Sequence, residues 1–494
     1  RRQRQQRQQQ QQLMASLCLE LLPGKLYWAP ESTELPTGFN GEFVEALDFC
    51  RHLCADGGDP VAALYTVTHY TRQATGRAFG PLGLDVVLRF CRGLQVKLER
   101  AGEGGVVIGM GPEGKSERTN VCLLVGAYLV LSYEMSAEQV ASTFGPDDAE
   151  LGFICSWSHV NKPEPKRNLL VKDCWVALEL GLMKGWFDPT CLESDESTEQ
   201  FCTMWRDFVR LYDASWIVPG LVLVGADPMT TALDPNPVTF TDLYPREGLA
   251  CPASPAPCDT DVVKHVSTQE FGPTGVKPSI SILSPKSSDS TREDLEWPTT
   301  NRSSKSLISA RSGWSSVDTV CKDYFSGACS LTTESDEALD FVSFLKGCGV
   351  THIIRTNFNQ EPGMPKRGSY EASKFKEHGF THADVKVADT HGGLPKSSDV
   401  AKVLNTSPDE DDLSSAVFVH CKGGFGRSMV LACCLAIDRL DIPGSTLLAW
   451  VRLARPGSVN TPQQELFLQS LRGRSDVRKY AGLSATPMCG CALQ

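Results

Sequence analysis

The chain has no run of 18 or more apolar residues, which removes a membrane-spanning helix from the expectations. It has no basic excess: 48 Lys and Arg stand against 59 Asp and Glu, and the formal charge of −11 argues against a nucleic-acid partner. Charge of this sign would suit substrates carrying local positive charge, and in bulk it serves solubility. No pair of CxxC motifs is present, so no zinc site is expected, and the 19 cysteines make no compact disulfide framework. They are scattered from Cys18 to Cys491, often inside apolar stretches such as Val121-Cys122-Leu123 and Ala432-Cys433-Cys434-Leu435. That usage points to a reducing compartment in which most of them are small buried hydrophobes. An initiating methionine is also missing, so the chain is read as starting inside a longer one.

What is present is ordinary in bulk, with 41% hydrophobic and 22% charged residues over 494 positions, too many for one core. Residues 1–12, RRQRQQRQQQQQ, are too polar to bury surface, and a disordered tail is expected over 1–20. From 25 to 187 strand-like runs alternate with amphipathic stretches: a strand at 106–108 and helices at 120–132 and 170–183. A helix is expected at 199–212, then apolar strand over 216–224 broken at Pro219-Gly220. Residues 240–333 turn rich in Ser, Thr, Pro and Asp and read as a disordered insertion, with Ser284-Pro285 a candidate phosphosite. Order resumes with a helix at 335–346, a strand at 350–354, a strand at 416–420 and helices at 428–440, 445–455 and 463–471. Alternating strands and helices in both ordered blocks argue for two α/β domains.

AVFVHCKGGFGRS, residues 416–428, is a strand, a tight glycine loop and a helix start in succession. Each piece answers a chemical need. A thiolate attacks phosphorus, and an ordinary thiol with a pKa near ~8.5 is only a few per cent ionised at neutral pH. Loop N–H groups at a helix start and the charge of Arg427 favour the thiolate of Cys421 and also cradle phosphate oxygens. Lys422, Gly423, Gly424, Phe425 and Gly426 supply that cradle, the glycines letting backbone approach closely. The planar fork of Arg427 can hold two phosphate oxygens. Ser428 can donate to the sulfur and ease its departure, and His420 is read as shaping the loop rather than titrating. No metal or other cofactor is needed.

This signature resembles that of the protein tyrosine and dual-specificity phosphatases. The likeness extends to AWVRLARPGSVNTPQQ at 449–464, WIVPGLVLVGADP at 216–228, FGPLGLDVVLRFC at 79–91 and LLVGAYLVL at 123–131, which are similar to the cell-division-cycle fourteen type dual-specificity phosphatases. The resemblance implies two tandem phosphatase-like domains, each a central sheet flanked by helices. The first spans 21–195 and lacks the catalytic cysteine, since GMGPEGKSER at 109–118 stands where a second loop would sit. A linker helix over 196–215, a catalytic domain over 216–475 interrupted at 240–333, and a tail over 476–494 complete the division.

Several residue roles come only from the resemblance. Asp389, in HADVKVADTHGGLP at 382–395 after the strand-like DVKVAD, falls at the place of the general acid. Asp384 is its competitor and lies before that strand. Gln463 and Gln464 match paired glutamines, one positioning water, with Gln463 assigned. Arg452 and Arg455 match residues that brace the loop. Glu138, Asp173 and Glu179 are candidates for an acidic substrate groove. The loop departs from the family at Gly423, Phe425, Ser428 and Met429, and the segment between Arg355 and Tyr370 is longer than usual. The implied activity is hydrolysis of phosphotyrosine and of phosphoserine or phosphothreonine, preferably before proline, in cell-cycle control. Phosphoprotein substrates, and a location in nucleus, cytoplasm, spindle pole, centrosome or basal body, follow from the same likeness.

The final Cys491-Ala492-Leu493-Gln494 has the form of a prenylation box, with Cys489 nearby and Arg472, Arg474, Arg478 and Lys479 upstream to meet an anionic membrane. Membrane association is expected only if Cys491 is lipidated. Two other readings compete: a phosphoprotein-binding scaffold with weak turnover, and a lipid phosphatase. The latter tends to carry two loop lysines, whereas here Phe425 accompanies the single Lys422.

Overall fold

The computed structural model describes residues 18–30, 39–46, 49, 80–110, 115–153, 169–229 and 341–484, except 363, 365, 367, 390–392, 410, 411, 413 and 414. The expected insertion at 240–333, Cys489 and Cys491 lie outside these residues, as does most of the expected tail at 1–20. That tail ends earlier than expected, because Leu19 already begins a strand whose Leu21 and Leu22 are buried.

In the N-terminal part, strands β1 (Leu19–Leu22), β2 (Leu26–Ala29) and β3 (Glu42–Glu45) precede helix α1 (Leu84–Ala101). Strand β4 (Val106–Gly109) then leads to helix α2 (Lys115–Tyr133), α3 (Ala137–Phe144) and the single turn α4 (Pro146–Ala149). The sheet order is β1-β2-β4-β3, with β2, β4 and β3 parallel. Val106, Val107 and Ile108 are wholly buried, as parallel strands covered on both faces require. A two-stranded piece, β5 (Gly152–Phe153) and β6 (Leu169–Leu170), precedes helix α5 (Val171–Met183). Helix α6 (Asp195–Tyr212) is opened by the Ser194 hydroxyl, which accepts from the Ser197 N–H. It is more than a linker: Tyr212 stacks on Phe344 with ring centroids 3.7 Å apart, and Phe208 meets the same ring edge-on.

The second sheet positions the signature loop. Strands β7 (Ala214–Val218) and β8 (Val222–Ala226) form a hairpin across Pro219-Gly220, where Gly220 takes φ 74°. Helix α7 (Phe341–Gly347), strand β9 (Val350–Arg355), helix α8 (Ala372–Glu377), strand β10 (Thr381–Asp384) and helix α9 (Ser397–Thr406) lead to β11 (Ala416–Cys421). The first half of the helix expected at 335–346 lies outside the described residues. The order β10-β9-β11-β8-β7 puts β11 at the centre, parallel to β8 and β9. Helix α10 (Arg427–Leu440) follows and is buried from Arg427 to Asp438, which explains its apolar character all round. Helices α11 (Gly444–Ala454), α12 (Pro462–Ser470) and α13 (Arg474–Ala481) close the chain.

Two expectations are corrected here. The run DVKVAD at 384–389 is not a strand: the ladder with β9 ends at Asp384, and beyond it only the Val385 and Val387 N–H groups still bond to the carbonyls of Arg355 and Thr356. Asp384 therefore ends a strand rather than preceding one. The tail expected from 476 contains α13, so the boundary at 475 falls inside a helix. Arg478 bonds to buried Asp438 at 2.6 Å and Arg474 bonds to backbone carbonyls of Asp438 and Arg439, so these two cations brace α10. Their polar helix packs through Val477 and Ala481.

The two sheets belong to one compact unit. Trp450 of α11 joins them. Its indole N–H donates to the Ile217 carbonyl at 2.7 Å, and its ring meets Trp186 and Phe187 at 4.8 and 6.1 Å. Gly181 of α5 allows the approach, since a Cβ there would lie 2.8 Å from the Trp450 ring.

Candidate active site

Strand β11 delivers Cys421 to the start of α10, and the sulfur is met by two donors. The Gly424 N–H and the Ser428 hydroxyl each lie 3.2 Å from Sγ. Gly424 has φ 73°, and a Cβ there would fall 2.5 Å from the Gly225 backbone, so only glycine makes this turn against β8. Gly426 presses on the other side, where a Cβ would lie 3.0 Å from the Gln464 amide and from Asn460. Phe425 is buried with its ring under the Arg455 guanidinium, and its carbonyl accepts from the Val459 N–H at 2.7 Å. It thus holds the loop through both its ring and its backbone. The Lys422 ammonium donates to the Pro362 carbonyl.

Arg427 is buried and makes four hydrogen bonds to three partners. Nη1 and Nη2 donate to the two carboxylate oxygens of Glu361 at 2.6 and 2.7 Å. Nη1 also donates to the Val387 carbonyl at 3.1 Å, and Nη2 to Asp389 at 3.3 Å. Burial disfavours its charge, but Glu361, the sulfur of Cys421 and Asp389 more than offset that and hold it above the ordinary arginine range. The Asp389 carboxylate is 63% exposed and Glu361 only 8%, so Asp389 is the looser partner. Gly393 of the same loop would place a Cβ 3.0 Å from the Arg427 side chain. Residues 390–392 between them are outside the described set.

The competing carboxylate is spoken for. Asp384 takes a two-pronged bond from Arg355 at 2.6 and 3.1 Å, away from Arg427. Arg355 donates further to Ser369 and to the Tyr370 carbonyl. The Tyr370 hydroxyl bridges His382 and His420, at 2.9 and 2.5 Å. Burial and the nearby charges of His382 and Arg355 push His420 well below the usual imidazole range, so it is neutral and structural, as the sequence reading has it. Thr356 fixes its carbonyl through both N–H and hydroxyl.

The two glutamines are placed differently. Gln463 is exposed, whereas Gln464 is buried against Gly426 and donates from Nε2 to the Gly393 carbonyl at 3.5 Å. Among the described residues its Oε1 has no hydrogen-bond partner, and it lies beside Gly426 of the loop. The helical phase decides: Thr461 caps α12 and Pro462 opens it, which turns the second glutamine inward. Arg455 braces the loop as expected, bonding the carbonyls of Gly423 and Gly424, Ser215, and Asp213 at 2.6 Å. Arg452 holds the Ser458 and Val459 carbonyls and Glu465. Of the groove candidates, Asp173 accepts from the Leu170 N–H and Glu179 from the Ala137 N–H, so both act as helix-end acceptors, while Glu138 is exposed. The sequence reading missed Glu361 and Asp227. The latter is buried at the end of β8 and accepts from Asn357, Ser369 and the Met229 N–H.

Residues 64–180 match the family described as dual specificity protein phosphatase, N-terminal half. Dual specificity protein phosphatase CDC14A of Mus musculus is 23% identical over 393 residues, covering 79% of this chain and 45% of that protein. Dual specificity protein phosphatase CDC14C of Homo sapiens is 32% identical over 128 residues, 26% of each chain. Tyrosine-protein phosphatase cdc-14 of Caenorhabditis elegans is 34% identical over 101 residues, 20% of this chain and 14% of that one. The chain spans less than half the length of these curated relatives. A solved structure of PTPMT1 in complex with PI(5)P covers 28% of this chain and 85% of that one at 17% identity. Its TM-score is 0.24, a level that bears on neither fold nor substrate. The chain is similar to the CDC14-type dual-specificity phosphatases, through its N-terminal half-domain model and through partial matches to these relatives.

Proposed function

We propose that the chain is a protein phosphatase that works through a phosphocysteine at Cys421. The carrying observation is the sulfur at the mouth of α10 with the Gly424 N–H and the Ser428 hydroxyl both donating to it at 3.2 Å. Donors aimed at sulfur lower the cost of the thiolate as attacking group and again as leaving group. The thiolate attacks phosphorus, the S–P bond forms, and the P–O bond to the substrate breaks. Asp389 in its acid form gives its proton to the departing oxygen. Water then attacks the phosphocysteine and Asp389 takes its proton. The S–P bond breaks, and inorganic phosphate leaves. The unpartnered Oε1 of Gln464 is suited to hold that water. Arg427 and the loop N–H groups hold the phosphoryl oxygens throughout.

The finer reading is of two tandem phosphatase-like domains, the first without a nucleophile. Its support is that β4 is followed by α2 as β11 is followed by α10, and the sequence has no cysteine between 109 and 118. Phosphoserine or phosphothreonine before proline, with phosphotyrosine, are the proposed substrates, and a role in cell-cycle control in nucleus, cytoplasm or centrosome goes with them. Both rest on the family.

The test is release of phosphate from phosphoserine-proline peptides, phosphotyrosine peptides and phosphoinositides by the chain and its Cys421→Ser variant. Peptide turnover abolished by the substitution is expected. Turnover of phosphoinositides alone would replace the reading with a lipid phosphatase, and binding of phosphopeptides without turnover would replace it with a scaffold.

A further inference from the structure

The segment between Arg355 and Tyr370, longer than the family pattern, reaches back over the signature loop. Its base is fixed: Asp227 accepts from Asn357 at 2.8 Å and from Ser369 at 2.6 Å, and the Ser369 N–H donates to the Asn359 carbonyl at 2.6 Å. From this closed base two groups meet the two cations of the loop. The Pro362 carbonyl takes Lys422, and Glu361 takes Arg427. Glu361 is itself held, since Oε1 also accepts from the Phe358 N–H at 2.9 Å.

A guanidinium has five N–H groups, and their use here can be counted off. Nη1 spends its two on Glu361 and the Val387 carbonyl, and Nη2 spends its two on Glu361 and Asp389. Glu361 therefore occupies the far end of the fork, between Nη1 and Nη2. A phosphoryl group approaching from Cys421 can take the side edge, Nε with Nη2, by displacing only Asp389. That is the easier exchange, for Asp389 is the more distant and the more exposed partner. The exchange would also free the Asp389 carboxyl for its part in proton transfer.

Resting on the phosphatase reading, we propose that Glu361 is a positioning residue: it fixes the far end of Arg427 so that the side edge faces the phosphoryl group. The charge of Glu361 works in the opposite direction, because a carboxylate beside Arg427 weakens its pull on an oxyanion. The two effects predict opposite signs. The buried, doubly bonded geometry favours positioning.

The experiment is calorimetric titration of inorganic tungstate into the full chain, its Glu361→Gln and Arg427→Lys variants, and the double variant. Glu361→Gln is expected to weaken tungstate about tenfold, a coupling of about 1.4 kcal/mol. Added to Arg427→Lys it is expected to change affinity less than about twofold, since Glu361 acts through the guanidinium. Unchanged or tighter binding in Glu361→Gln overturns the proposal, as does an equal loss in both backgrounds or no tungstate binding by the wild-type chain. If Glu361→Gln does not melt cooperatively, Glu361→Asp replaces it, with the same pattern expected. A chain that shows this pattern yet hydrolyses no phosphoester keeps the positioning role and loses the phosphatase reading. One that hydrolyses phosphopeptides without the pattern does the reverse.

Discussion

The guanidinium carbon of Arg455 lies 4.3 Å from the centroid of the Phe425 ring, so a residue after α11 clamps the middle of the signature loop. The same guanidinium bonds Asp213 at the start of β7 and the carbonyls of Gly423 and Gly424. Both partners of the ion pair are buried, at 1% and 3% exposure, so removal of one takes from the other a short bond between buried charges.

Arg455→Leu is therefore expected to cost about 3 kcal/mol or more of stability, the range for breaking a buried pair. Urea denaturation measures it. Aryl phosphate turnover should fall too, because the loop carbonyls lose their anchor. A variant as stable as the wild type would mean that Phe425 and Asp213 are held by other contacts.

The two aspartates separate by kinetics and by pH. Asp389→Asn is expected to slow phosphopeptide hydrolysis far more than hydrolysis of an aryl phosphate with a good leaving group, which needs little proton donation. Asp384→Asn is expected to slow both equally or not at all. Equal slowing of both substrates in Asp389→Asn would count against Asp389 as the acid.

Burial pushes the Asp384 carboxyl up, but the hydrogen bonds and charge of Arg355, with His382 and Lys386, outweigh it and hold it below the ordinary range. A carboxyl depressed in the folded state adds stability above its unfolded pKa of about 4, and that stability is lost as pH falls through the folded value. Asp384→Asn should thus be less stable than wild type at neutral pH, and the gap should narrow on acidification below about pH 4. Denaturation series at several pH values read this. A gap that is constant with pH would dismiss the ion pair as a source of acid sensitivity.

Gln464→Ala is expected to slow hydrolysis of the phosphocysteine and Gln463→Ala to leave it near wild type. Rapid-quench kinetics would show a burst of the leaving alcohol before a slow steady state in the first variant only. A matching burst in Gln463→Ala would return the assignment to the exposed glutamine.

How much of this is legible in sequence depends on whether neighbours in the chain are neighbours in space. Cys421, Gly424, Arg427 and Ser428 lie in one strand–loop–helix passage, so their types and order carry the site without a fold. The glutamine pair is adjacent too, but only the phase set by Thr461 and Pro462 turns Gln464 inward. Helix α13 escaped because half of its residues are charged and only Val477 and Ala481 are buried. Gly473 before it and Gly482 after it, the latter with φ 69°, were the available signals. Glu361 was beyond reach: it sits in irregular loop, where no periodicity assigns a face, and its partner is 66 positions away. Strand β10 was misplaced by a few residues because Val385 and Val387 extend the apolar alternation after pairing with β9 has stopped.

The central claim is that the phosphoryl group passes through Cys421. Rapid acid quench of the chain during phosphopeptide turnover, followed by peptide mass spectrometry, tests it most directly. The account predicts one phosphoryl group on the peptide that carries Cys421, formed before phosphate is released and absent from Cys421→Ser. A phosphoryl group on any other side chain, or turnover that persists in Cys421→Ser, would contradict it.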